Sequence, residues 1–222
     1  MSNHSNNAGN YLALSLTYAE KQQQSWWNNL TDSQKTSARN SSYDYKVTKY
    51  LSNGSVGPCD LYVFDHGYND FDDNHIEKFL QEPQNPNDKT YPLGAVNFLI
   101  NSILNDNPRA RIVWIGHYEN KLDDITYHQS RGKYVAQLQE YISDKYGIPL
   151  CRTWEKTGWS NPHKITTTGY WNNNIWVPNG GTSRQDYVKD CMFSDGIHPH
   201  FDGSGYSIKL LANIIGDYLE TL

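Results

Sequence analysis

Three short apolar runs constrain the fold more than any other feature of the chain. They are Leu61-Tyr62-Val63-Phe64, Arg111-Ile112-Val113-Trp114-Ile115-Gly116, and the stretch from Ile148 to Trp154. Each is rich in strand formers and apolar nearly throughout rather than alternating, as suits a strand buried on both faces of a parallel sheet. Helical stretches lie between them. One runs from Thr90, as its cap, to about Asn105 and is ended by Asn107-Pro108. The next covers residues 130 to 146 and stops at Gly147, which suits a helix C-terminal cap. Residues 203 to 219 close the chain as a helix. This order predicts an α/β fold with a parallel sheet, right-handed crossovers and helices on both faces.

The flanking segments are read more coarsely. Thr17-x-x-Glu20 is a capping-box pattern that predicts a helix through Leu30, with Trp26 and Trp27 along it. Residues 31 to 58 are ambiguous, with a short extended piece expected at Tyr45 to Tyr50. Pro83 to Pro92 reads as a polar loop. A long loop rich in Trp, Asn and Gly runs from Lys156 to about Gly181 and carries Trp159, Tyr170, Trp171 and Trp176. Repeats and interdomain linkers are not evident, so residues 1–222 read as a single domain.

Composition narrows the classes of function. The mean hydropathy of -0.77 is polar for a globular chain, but 7 Trp and 17 Tyr supply large buried areas in place of aliphatic residues. A net charge of -5 without a basic stripe gives no electrostatic case for nucleic acid or an anionic membrane. No run approaches the ~20 apolar residues of a membrane span. The three cysteines, Cys59, Cys151 and Cys191, lack metal-ligand spacing and read as packing residues. Met1 to Asn10 is polar and Asn-rich, without a signal-peptide pattern. The compartment is therefore open, and a start lost upstream would suit a secreted or periplasmic protein.

Two clusters carry chemistry. Asp195-Gly196-Ile197-His198-Pro199 sets an Asp and a His three residues apart, stiffened by the following Pro. An imidazole can act as general base near neutral pH, and a carboxylate on its other ring nitrogen holds the tautomer. Asp65-His66-Gly67-Tyr68-Asn69-Asp70 follows directly on the first apolar run, at the strand end where an open α/β sheet places its ligand. Gly67 allows close backbone approach there. Alone, either string is also an ordinary polar turn.

Together the two clusters resemble the Gly-x-Asn-Asp and Asp-x-x-His blocks of the SGNH, or GDSL-type, serine hydrolases, from about Asp60 to the C-terminus. The resemblance implies a flavodoxin-like, three-layer α/β/α fold with strand order 2-1-3-4-5, and an esterase that needs no metal or cofactor. His198 would be the base and Asp195 its orienting group, with Asn69 donating to the oxyanion and Asp70 fixing the loop. From the residues themselves, His66 reads either as a group orienting the oxyanion block or as a core histidine, and His117 with Tyr118, at the end of the second strand, as lining of the cleft. The family's second oxyanion donor, a backbone N–H at a glycine, corresponds to Gly9 or to Gly54. The Gly-Asp-Ser block that carries the nucleophile is not found. Either it lies upstream of this chain, or Ser5 takes the role; Ser194 is excluded because it cannot readily face His198 from beside Asp195.

The family's first strand is likewise either missing or rebuilt from Tyr11 to Leu16. If it is missing, the strand at Leu61 has a bare edge that a second copy of the chain, or another local packing, must cover. The expected substrate is a small-molecule or carbohydrate ester with a short acyl group, acetyl among them. Two alternatives stand beside it. One is a binding module that keeps the cleft without a nucleophile. The other is a metal-dependent phosphoesterase using Asp65, His66, Asn69, Asp70, Asp195 and His198 as ligands.

Overall fold

The computed structural model describes residues 14–65, 80–116, 129–157, 170–172, 175–177 and 206–222. The chain divides into two compact units, residues 1–115 with 134–150, and residues 116–133 with 151–222.

The first unit begins with a helical cluster. Helices α1 (Tyr18–Gln22), α2 (Asp32–Asn40) and α3 (Tyr43–Lys46) are joined by 3₁₀ turns at Trp27–Asn29 and, after α3, Thr48–Tyr50. The Thr17/Glu20 capping box forms as expected. The helix it opens ends at Gln22 rather than Leu30, where the bonding tightens to three-residue spacing: Gln23 N–H donates to Glu20 O (3.3 Å) and Gln24 N–H to Lys21 O (3.1 Å). Breaking the helix buries both Trp26 and Trp27 with Leu30 and Ala38, and Tyr18 packs against them. The extended piece expected at Tyr45 to Tyr50 is helical instead, as is Leu14-Ser15 within Tyr11 to Leu16, one of the two alternatives for the first strand. The reason is tertiary: the Leu16 carbonyl accepts from Tyr43 N–H (2.8 Å) and the Ser15 carbonyl from Lys89 Nζ (3.1 Å), tying this segment into the helical cluster.

The predicted sheet is present. Strands β1 (Leu61–Phe64), β2 (Arg111–Ile115) and β3 (Leu150–Cys151) lie in the order β1-β2-β3. β1 pairs parallel to β2, with Phe64 opposite Trp114. Trp114 N–H donates to the Pro149 carbonyl and Gly116 N–H to that of Cys151, both at 2.9 Å. Advancing two residues on both strands in the same sense is the parallel ladder. Residues 112 to 115 are all buried, as expected of a strand covered on both faces. β1 differs: Leu61 and Val63, on one face, are 42% and 44% exposed.

Helix α4 (Pro92–Asp106) follows β1 and packs through Leu93, Val96, Leu99, Ile100 and Ile103. These positions repeat at three and four residues, the stripe of an amphipathic helix, and each such burial is worth roughly 1.5–3 kcal/mol. Its N-cap is Tyr91, with Pro92 as the first helical residue, not Thr90. Proline suits that position because its missing N–H would have had no helical partner; the Thr90 hydroxyl turns instead to Asp88 Oδ1 (2.7 Å). Helix α5 (Gln129–Tyr146) buries Val135, Ala136, Leu138 and Ile142. Gly147 ends it at φ +64°, and Ile148 N–H reaches back to Ser143 O (3.1 Å), the Schellman closure.

In the second unit the third apolar run is shorter than expected. It stays extended only through Cys151 and then turns into helix α6 (Thr153–Lys156). Strands β4 (Tyr170–Asn172) and β5 (Ile175–Val177) pair antiparallel, with Trp171 opposite Trp176, inside the segment expected to be all loop. The final helix, α7 (Tyr206–Glu220), packs against α6, where Lys156 Nζ lies 5.6 Å from the Tyr218 ring centre.

Candidate functional site

The described part of the candidate site is its scaffold at the carboxyl ends of β1 and β2. In a parallel sheet these ends collect the loops that hold ligands, because every strand delivers its chain to the same edge. β1 ends in Phe64, whose ring stacks on Trp114 at 4.8 Å between centroids and 19° between planes. Asp65 comes next. Its side chain keeps access to solvent, yet desolvation by the protein around it raises the carboxyl pKa above the ordinary value. It is the one member of the Asp65–Asp70 cluster among the described residues. His66, Gly67, Asn69 and Asp70 lie outside them.

The end of β2 is closely held. The Ile115 carbonyl accepts from the buried Gln139 amide of α5 (3.3 Å). The next carbonyl, that of Gly116, accepts a short hydrogen bond from Thr153 Oγ1. Two buried acceptors that have run past the ladder are thus satisfied by buried side chains. Gly116 itself lies against Trp154: a β-carbon there would sit 2.1 Å from Cζ3 of the indole. Glycine is required by proximity rather than by backbone angle. Gln139, Thr153 and Trp154 were not singled out in the sequence; the only signal was a glycine closing an apolar run.

Past Gly116, His117 and Tyr118 lie outside the described residues, as do Asp195 and His198. Ser5 and Gly9 lie outside them as well. The other glycine considered as an oxyanion donor, Gly54, packs against the Thr48–Lys49 backbone, with a virtual β-carbon 2.1 Å from the Thr48 carbonyl oxygen. It is a structural glycine of the helical cluster, serving a close backbone approach.

Two further groups bear on the chemistry available. Cys151 is fully buried, and burial pushes its thiol pKa up despite the opposing charge of Lys156. A buried thiol of raised pKa is a poor nucleophile. Burial likewise raises the Tyr218 phenol. Among the described residues no three His, Cys, Asp or Glu side chains are grouped so as to hold a metal. No helix among them is long and apolar enough to cross a membrane.

These elements define a mixed α/β protein built on a three-stranded parallel sheet. Compared with known proteins, the chain matches no protein-family model, no curated protein and no solved structure.

Proposed function

We propose that the chain is a serine esterase of the SGNH type, acting on short-acyl esters, with acetyl esters of carbohydrates as its substrate class. One observation supports this above the others: the Asp65–Asp70 cluster follows directly on a strand that is paired parallel in the sheet. Placement directly after a paired strand is what raises a common tetrapeptide to a candidate oxyanion site. A closing helix, α7, also begins shortly after the Asp195–His198 block.

In the proposed reaction the serine oxygen attacks the ester carbonyl while His198 takes its proton. Asp195 holds the imidazole tautomer and stabilises the imidazolium. The Asn69 amide and backbone N–H groups donate to the tetrahedral oxyanion, which collapses as His198 returns the proton to the leaving alcohol. Water, activated by the same base, then hydrolyses the acyl-enzyme. Ser5 is the candidate nucleophile within this sequence. The carbohydrate preference rests on the aromatic segment around Trp171 and Trp176.

A specific observation favours a second reading, a binding module without a nucleophile. Leu14 and Ser15 are helical, so the segment expected to rebuild the family's first strand is not a strand there. Labelling with a fluorophosphonate probe, with the adduct mapped by mass spectrometry, separates the two. One adduct, lost in His198→Ala, supports the esterase. Folded protein that takes no label supports the binding module.

A further inference from the structure

Lys21, in the first unit, is fully enclosed, with 0% relative exposure. It projects from the last turn of α1 towards α2 and the α2–α3 junction. Nζ donates to the Ala38 carbonyl (2.8 Å) and to the Ser41 hydroxyl (3.0 Å). Both partners are neutral. The Ser41 hydroxyl spends its own proton on the Ser37 and Ala38 carbonyls at 3.0 and 3.2 Å, so it is free only to accept from Lys21.

Two acceptors match the two N–H bonds of a neutral amine. An ammonium carries a third N–H, and leaving a charged donor without an acceptor in a buried site is costly. Among the described residues Lys21 forms no ion pair. The charged group that acts on it is Asp44 of α3, which favours the ammonium through space. The Asp44 carboxylate itself accepts from Tyr18 N–H (2.9 Å) and the Ser42 hydroxyl (2.8 Å). The other charges around the cluster are engaged elsewhere: Glu20 pairs with Lys89, Arg39 lies over Tyr45, and Lys35 lies over Trp27.

We propose that the helical cluster of residues 14–51 is a pH-responsive element whose closed packing holds Lys21 as a neutral amine and which opens when that amine must be charged. The group that opening releases is the Trp26, Trp27, Leu30 and Ala38 core, with Tyr18 on its margin. Burial lowers the Lys21 pKa from 10.5 to about 7 in the closed state, against the opposing pull of Asp44. In the open state the side chain is hydrated and keeps its ordinary value. Between the two values only the open state is protonated, so opening increases as pH falls from about 10.5 to about 7. Below about 7 both states carry the proton and the dependence stops. The slope in that window is about tenfold per pH unit, the linkage of one proton.

The test is hydrogen exchange of the full chain from pH 6 to 9.5, read by mass spectrometry on peptides within residues 14–51 and corrected for the intrinsic pH dependence of exchange. Wild-type protection of these peptides should fall about tenfold per unit from pH 9.5 to about 7.5 and level off below about 7, with peptides of α4 unaffected. Lys21→Met should remove the slope, and its folding is not in question on polar grounds because Ser41 still satisfies the Ala38 carbonyl. Asp44→Asn, which keeps an acceptor for Tyr18 N–H, should extend the slope to lower pH. A flat wild-type profile, or a slope that persists in Lys21→Met, overturns the proposal.

Discussion

Replacing Gly116 by alanine tests whether the carboxyl end of β2 is held as described. The added methyl would lie 2.1 Å from Cζ3 and 2.9 Å from Cε3 of Trp154. Carbon atoms settle at about 3.5–4.0 Å, so the ring or the strand end must retreat by roughly 1.5 Å. Neither does so freely. The indole is 4% exposed, and Gly116 is pinned on both sides of its peptide by Cys151 O and Thr153 Oγ1. Overpacking of this kind costs roughly 1–3 kcal/mol, and a rigid ring facing a fixed backbone belongs at about 3. The alanine returns about 0.4–1 kcal/mol by restricting the unfolded chain. The net expectation is a loss of about 2 kcal/mol. In urea, with a slope of roughly 2 kcal/mol per molar, that is a midpoint about 1 M lower. The decisive comparison is the same substitution in a Trp154→Leu background, where the obstructing ring is gone. There Gly116→Ala should cost less than about 0.5 kcal/mol. A Gly116→Ala protein as stable as wild type, or an equal loss in both backgrounds, would refute the packing argument.

Other outcomes follow from the same reasoning. Gly94→Ala should be at least as damaging as Gly116→Ala in a thermal melt, because its methyl would meet the Asp88 carbonyl oxygen at 2.0 Å, and backbone yields less readily than a side chain. Thr31→Ala removes the cap that accepts from Gln34 N–H and should lower stability by about 1 kcal/mol in chemical denaturation. The Glu82 carboxyl is held below its usual value by hydrogen bonds from Lys145 and Tyr141. Its contribution is therefore present above about pH 4.5 and lost as pH falls through the lowered value; acid titration of Glu82→Gln should show a shallower loss than wild type over that range. If the proposed esterase is correct, Asn69→Ala should reduce kcat by roughly 10²–10³ in an acetyl-ester assay. Chelator should leave the rate unchanged, whereas abolition of activity by chelator would point to the phosphoesterase alternative.

The sequence revealed the parts of the fold whose cause is local. Leu61–Phe64 and Arg111–Ile115 read as strands because an unbroken apolar run of that length has few other uses. The helix before Gly147 read correctly because its stop signal is a single residue in a left-handed conformation. Reading failed where distant contacts decide. Thr153 and Trp154 have strand-forming side chains, yet they leave the strand because one bonds to Gly116 and the other packs on it, 37 and 38 positions away. The cluster from Asp32 to Tyr50 is polar enough to read ambiguously, and it packs around Lys21, a residue few patterns would place in a core. One local signal there was overlooked, the Thr31-x-x-Gln34 capping box. For the site, the sequence supplied residue types suited to acyl transfer. It could not supply their apposition, because which loops meet above a sheet depends on strand order and not on spacing along the chain.

The division of the chain carries a practical consequence. The polypeptide passes from one unit to the other at residues 115–116, returns at 133–134 and leaves again at 150–151. No single cut in the backbone therefore liberates either unit whole. A terminal truncation at any of these crossings either leaves a unit incomplete or carries part of the other with it; a chain ended at residue 115 would lack the part of α5 that carries Val135, Leu138 and Ile142. Expression of one unit alone would need two segments rejoined by a new linker. Residues 1–116 and 117–222 expressed as two separate chains should co-elute under native conditions and part once denaturant is added, because residues 134–150 complete the first unit.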